Sequence, residues 1–108
     1  MPVENVKLVT AAKKLLKLFG PKGEHWTLRS NARDANGDEV PVMSRKAIQW
    51  CLSGATQKLN LPSLVRGELR QAVPTASFVG FNDSHRTYTH VRKFLEKIVN
   101  RKELKTKS

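Results

Sequence analysis

Apolar and polar positions follow a helical period over several stretches of this chain, and the widest apolar face falls in its middle. On a helical wheel of residues 44–59, Ala47, Ile48, Trp50, Cys51, Leu52, Gly54, Ala55 and Leu59 lie on one continuous arc of roughly 200°. Gln49, Ser53, Thr56 and Gln57 lie opposite, with Arg45 and Lys46. So wide an arc predicts a central helix that touches neighbours on more than one side. Ser44 is its expected N-cap. Trp50, Cys51, Gly54 and Ala55 are its expected core. Gly54 costs about 1 kcal/mol relative to Ala in a helix interior, a cost offset where another backbone comes close. Lys58 falls inside the arc, so its stem is expected to snorkel.

Residues 3–19 predict a first helix. Leu8, Val9, Ala11, Ala12, Leu15, Leu16, Leu18 and Phe19 share one side, and Lys7, Lys13, Lys14 and Lys17 the other. Gly20-Pro21 ends it. Residues 26–42 lack a helical period. Asn36-Gly37 between extended runs predicts a two-stranded ribbon, which needs the helices to support it. Residues 64–73 predict a third helix, capped by Ser63 and stopped by Pro74, with Leu64, Val65, Leu69, Ala72 and Val73 inward. Phe78-Val79-Gly80-Phe81 reads as a buried, extended connector. After the polar loop 82–86, Thr87 is the expected cap of a last helix over 88–99. There Tyr88, Val91, Phe94, Leu95, Ile98 and Val99 face inward, and Arg92, Lys93, Lys97 and Arg101 lie outside.

The fold class this predicts is mainly α. It is a compact bundle of about four helices with a small two-stranded β-ribbon between helices one and two. Residues 1–99 form a single helical domain, and 100–108 a basic tail that frays.

Length and composition narrow the class. The chain has 108 residues, 39% of them apolar and 27% charged, which suits one globular domain with one modest core. No run approaches the ~20 apolar residues of a membrane span. No signal peptide is expected, since Glu4 comes early and no apolar region follows. A single cysteine permits no internal disulfide and fits a reducing compartment, so a cytoplasmic location is expected. Twenty Lys and Arg against nine Asp and Glu give +11. Residues 1–23 carry five Lys and one Glu, and 92–108 seven Lys or Arg and two Glu, so the excess belongs to the two ends. Such charge serves an anionic partner or keeps a small protein soluble.

Candidate chemistry is sparse. Cys51 as a nucleophile needs exposure and a lowered pKa, and its mid-arc position predicts a packed thiol instead. His25, His85, His90 and Cys51 are the only nitrogen or sulfur ligands available to a metal, and the five-residue spacing of His85 and His90 does not align them on one helix. Asp34, Asn36, Asp38 and Glu39 resemble a calcium loop superficially, but the Gly is misplaced and the closing Glu is missing. Gly20-Pro21-Lys22-Gly23 lacks the strand and the Lys-Ser/Thr end of a phosphate loop. No cofactor and no metal are expected.

The main polar cluster is Asn82-Asp83 with Arg86-Thr87. The expected arrangement is a loop clamp, with Asp83 paired to Arg86 and Thr87 capping the last helix. The alternative is a small-ligand or peptide site. Residues 56–66 loosely match a helix-turn-helix, against which stand Pro62, Gly67 and a charged Arg66 where an apolar residue should be buried.

Taken in order, the first helix, Trp26-Thr27, Ala32-Arg33-Asp34-Ala35-Asn36-Gly37, Ala47-Ile48-Gln49-Trp50-Cys51-Leu52-Ser53-Gly54-Ala55, Phe81-Asn82-Asp83, Arg86-Thr87 and Val91 carry a resemblance. The chain resembles a family of small uncharacterised bacterial and phage-associated proteins with a Trp-Cys-x-x-Gly-Ala helix and an Asn-Asp…Arg-Thr-x-x-x-Val segment. The resemblance covers nearly the whole chain. It implies a compact, mostly helical cytoplasmic domain and no particular activity. The chain departs from the family pattern at Ser84-His85, where a small Pro/Gly-containing piece is expected, and in its longer, more basic tail.

The function these readings favour is a small non-enzymatic binding domain. The alternative is sequence-nonspecific nucleic-acid binding through Lys13, Lys14 and Lys17 of the first helix and Arg92, Lys93, Lys97 and Arg101 of the last. The expected partner is accordingly a nucleic acid or an acidic protein, and not a membrane.

Overall fold

The apolar stripe of the first helix is buried against the last. The computed structural model describes residues 5–107, and side chains from 6 to 100. Its elements are α1 (Asn5–Phe19), β1 (Ala32–Arg33), β2 (Gln49–Trp50), α2 (Leu52–Lys58), α3 (Ser63–Ala72), α4 (Phe78–Asn82) and α5 (Thr89–Lys107). The protein is mainly α, with a small antiparallel sheet between α1 and α2. Val3 and Glu4 of the predicted first helix lie outside the described residues.

Val9, Ala12, Leu15 and Phe19 of α1 meet Val91, Leu95 and Ile98 of α5, all buried. Each large apolar side chain so buried contributes about 1.5–3 kcal/mol. The two helices run antiparallel: Phe19, ending α1, lies 5.4 Å from the ring of Tyr88, just before α5. From there a chain of aromatic contacts crosses the core, through Trp26, His90 and Phe81 to Phe94. α5 continues to Lys107, well past Val99. The fraying expected for 100–108 falls largely on 101–108, whose side chains, that of Arg101 included, lie outside the described set.

The central helix predicted over 44–59 is not continuous. Residues 44–47 form one turn, in which the Ser44 hydroxyl accepts from Lys46 N at 3.1 Å. Gln49–Trp50 is a strand. Its neighbourhood is claimed by backbone on two sides: Trp50 N donates to His25 O (2.9 Å), Thr27 N to Trp50 O (3.1 Å), and Ile48 N to Arg33 O (2.9 Å). The wide apolar arc therefore reflects a strand enclosed on both sides followed by a short helix. Only α2, seven residues long, is helical.

Its true N-cap is Cys51, whose Sγ accepts from Gly54 N at 3.3 Å. At the far end Leu61 N donates to Thr56 O and Asn60 N to Gln57 O, with Asn60 at φ 50°. This is the paired-bond ending that a left-handed residue makes possible, and Pro62 follows it. Gly54 is where two backbones meet. A Cβ there would lie inside contact distance of the Asn31 carbonyl oxygen.

The two-stranded ribbon lies between α1 and α2 as expected, but its pairing differs from a simple hairpin. The Asn36-Gly37 turn forms, with Asp34 N donating to Asp38 O at 2.9 Å and Gly37 at φ 84°. Its flank carries only a single bridge, Arg33 to Glu39. The two-residue ladder instead pairs Ala32 with Trp50 and Arg33 with Gln49. The Asp34 carboxylate accepts from Asn36 N and Asp38 N, as in an Asp-led turn.

Two further expectations are corrected. The connector 78–81 is helical and not extended: Ser77 Oγ accepts from Gly80 N at 3.1 Å and starts α4, a fifth and short helix beside the four expected. Five residues are too few to display a period. In α3, Ser63 is the first helical residue and Pro62 the N-cap, without a side-chain cap bond. Val65, Leu69 and Val73 make a narrow buried stripe, while Leu64 is 71% exposed and Ala72 also faces out.

Candidate functional site

Asn82 is wholly buried at the end of α4. Its Oδ1 accepts from Trp26 Nε1 at 2.6 Å and from Leu52 N at 2.9 Å. Its Nδ2 donates to Thr27 O at 3.1 Å and to Asp83 Oδ1 at 3.0 Å. Every donor and acceptor of the amide is used. Asp83 Oδ1 also accepts from Arg29 N at 3.0 Å, holding Arg29 at φ 63°. A left-handed non-glycine residue costs about 1–2 kcal/mol, and this bond offsets part of that. Asn82 and Asp83 thus join α4, the N-terminus of α2 and the irregular segment after α1.

Arg86 and Thr87 do not enter this cluster. Both are exposed, and among the described residues the ion pair that forms is Arg92–Glu96 (3.9 Å), not Asp83–Arg86. Asp83 accepts from the backbone of Arg29 instead. α5 begins at Thr89, so Thr87 stands outside its first turn.

The loop does bring His85 and His90 together, with ring centroids 4.7 Å apart. Spacing on one helix could not reveal this, because His85 reaches back from the loop. His90 Nε2 donates to Asn82 O at 2.9 Å, and its buried Nδ1 has no partner among the described residues. Among the described residues no group of three or more His, Cys, Asp or Glu gathers to hold a metal.

Cys51 is 4% exposed. Burial pushes its thiol pKa up, the Asp83 charge adds to this, and the Gly54 N–H opposes it. A thiol held protonated in this way is a poor nucleophile.

Trp50, Gly54 and Ala55 are buried around it. One face of Trp50, however, borders a groove of about 540 Å³ between α1 and the 47–50 segment. Leu18, Ala47, Ile48, Trp50 and Leu59 supply its apolar surface, and Lys14, Lys17 and His25 its polar edge. Ile48 is 41% exposed there. Lys58 Nζ sits 5.7 Å from the Trp50 ring centroid, a cation–π distance. His25 Nδ1 donates to Ile48 O at 2.8 Å. No acidic side chain lines the groove among the described residues. The groove was not legible as a site because its apolar residues were assigned to the core of a continuous helix.

The basic residues of the two ends fall into separate places. Lys14 and Lys17 border the Trp50 groove, and Lys13 is exposed on the same helix. Lys93 and Lys97 border a second groove of about 280 Å³ with Pro74, Phe81, His90 and Phe94. The two grooves share no residue, and Arg92 is paired with Glu96. No described helix is long and apolar enough to cross a membrane.

Comparison of the chain with protein-family models, with curated proteins and with solved structures found no match.

Proposed function

We propose that this protein is a non-enzymatic binding domain whose partner is an acidic protein segment, seated in the groove beside Trp50. The observation that carries this reading is the lining of that groove. An apolar floor from Leu18 to Trp50 lies beside a polar edge of Lys14, Lys17 and His25, without an acidic side chain among its described lining residues. A segment with one or two large apolar anchors and flanking carboxylates matches both features. A non-catalytic role has the support of the buried, protonated Cys51 thiol.

Nucleic-acid binding has weaker support. It needs the basic faces of α1 and α5 to merge, whereas their lysines border different grooves. A cytoplasmic location and kinship with the small bacterial and phage-associated proteins belong to the same proposal. The single unpaired cysteine supports the first, and the order of motifs the second.

The test is an amide NMR titration with two designed helical peptides. Both carry Leu anchors, one flanked by Glu and the other by Lys. The acidic peptide is expected to shift Leu18, Ile48 and Trp50 saturably, and Lys14→Glu with Lys17→Glu to abolish this. Equal response to both peptides, or shifts confined elsewhere, defeats the proposal. Random duplex DNA and RNA form the third arm. Binding there with a log–log salt slope near −5, as for about six phosphate contacts, would favour the nucleic-acid reading instead.

A further inference from the structure

A different cleft, sharing no lining residue with the Trp50 groove, lies between α2 and α3. It encloses about 330 Å³ and is bordered by Ser53, Thr56, Ser63, Arg66, Arg70 and Phe78, with Gly67 between the arginines. Arg66 and Arg70 are one turn apart on α3, on one face of the helix, and both line the cleft. The Arg66 Nε is buried and has no hydrogen-bond partner among the described residues. A buried guanidinium N–H left unpaired is costly, and its presence marks a place where an acceptor belongs. No carboxylate borders the cleft among the described residues, and Glu68 of the same helix borders another hollow.

Hydroxyls face the arginines. Thr56 Oγ1 donates its proton to Ser53 O at 2.6 Å and is itself only 2% exposed. Ser53 and Ser63 supply two further hydroxyls. Ser63 opens α3, whose N-terminus has no side-chain cap and is electropositive. Gly67 leaves the middle open: a Cβ there would meet nothing within 4 Å.

We propose that this cleft is a binding site for the phosphate group of a small phosphorylated molecule. Two planar guanidinium forks suit a tetrahedral dianion, which accepts from both, while the Ser53 and Ser63 hydroxyls donate to its remaining oxygens. Phe78 offers an apolar wall beside the phosphate for whatever body the molecule carries.

The experiment follows the Arg66 Nε–H and the Gly67 amide by NMR at constant ionic strength. The probes are inorganic phosphate, glycerol phosphate, a nucleoside monophosphate and, as a control, acetate. Saturable shifts with the three phosphates and none with acetate are expected. Tighter binding of the nucleoside monophosphate than of glycerol phosphate would identify an aromatic body against Phe78, and equal binding a free phosphate group alone. Both support the site. Arg70→Gln should weaken binding by about tenfold or more, and Arg66→Lys should weaken it despite keeping the charge. Arg45→Gln, on an exposed turn, should change nothing. Should an Arg66 variant fail to fold, Arg70→Gln at its exposed position carries the test. Phosphate should then raise the melting temperature of the native chain and not of that variant. Equal shifts with acetate and phosphate, shifts unchanged in Arg70→Gln, or no saturation would overturn the assignment. So would binding of random duplex DNA without any response to the small phosphates.

Discussion

The indole N–H of Trp26 donates to Asn82 Oδ1 at 2.6 Å, both groups buried and 56 positions apart in the chain. Around that bond the amide of Asn82 also serves Leu52 N and Thr27 O. Replacing Asn82 with Ala would leave three buried polar groups without partners. Each such loss costs about 1–3 kcal/mol, and because the three are coupled the total expected is about 3–5 kcal/mol. Urea unfolding followed by tryptophan fluorescence measures this. A loss under about 1 kcal/mol would mean that water replaces the amide.

Gly54 and Gly67 are both helical, and alanine should act on them with opposite signs. Gly54→Ala pushes a methyl group against the Asn31 carbonyl and should destabilise by ~1–3 kcal/mol. Gly67→Ala meets open space and should stabilise by up to ~1 kcal/mol. Helix propensity alone predicts a gain at both. Two thermal melts decide the matter, and a gain at Gly54 would remove the backbone contact from the account.

At Cys51, thiol labelling should be slow in the native state and fast in denaturant, since burial both shields the sulfur and raises its pKa. Because Sγ accepts from Gly54 N, Cys51→Ala should lose about 1 kcal/mol of capping, and Cys51→Ser less. Native labelling as fast as that of the unfolded chain would contradict this burial.

Tyr88 is the chain's only tyrosine, so its ionisation can be followed by ultraviolet absorbance without interference from another. Burial pushes its phenol up to about 12. The unfolded phenol titrates at about 10. The native state therefore holds the proton longer. The stability linked to this group is fully present below about pH 10 and is lost as pH rises toward 12. A native midpoint near 10 would place the hydroxyl in water. Tyr88→Phe removes a buried hydroxyl that has no partner among the described residues, and should be neutral or slightly stabilising.

Much of the architecture was legible where the pattern was long. α1 and α5 carry sustained apolar stripes, and Gly20-Pro21 marks a helix end that exists. What misled was the segment 44–59, whose apolar arc exceeded any ordinary stripe. Trp50 is apolar on both sides because two backbones flank it, not because it sits in a helix. Periodicity cannot distinguish those cases over so short a run. The same limit hid α4. At the polar loop, Asn82 and Asp83 were singled out from the sequence, but their partners were not. Trp26, Thr27, Arg29 and Leu52 are distant in the chain, and only the fold brings them there. The Arg66–Arg70 cleft was hidden for a different reason. In the sequence Arg66 stands out only as a charge where a helix-turn-helix needs an apolar residue, and only the placement of α3 beside α2 sets it with Arg70 near Ser53 and Thr56.

The packing of α1 against α5 also bears on how this chain is made. The largest interface between helices joins an early segment to a late one, so α1 emerges from the ribosome with Val9, Ala12, Leu15 and Phe19 exposed. Their main native partners arrive only with α5, after α2 and α3 have supplied smaller contacts. Helical proteins rich in local contacts fold fastest, and the α1–α5 pairing gives up part of that advantage. During synthesis, at about 5–20 residues per second, the waiting time is several seconds, an interval in which a lysine-studded amphipathic helix is a natural client for a chaperone.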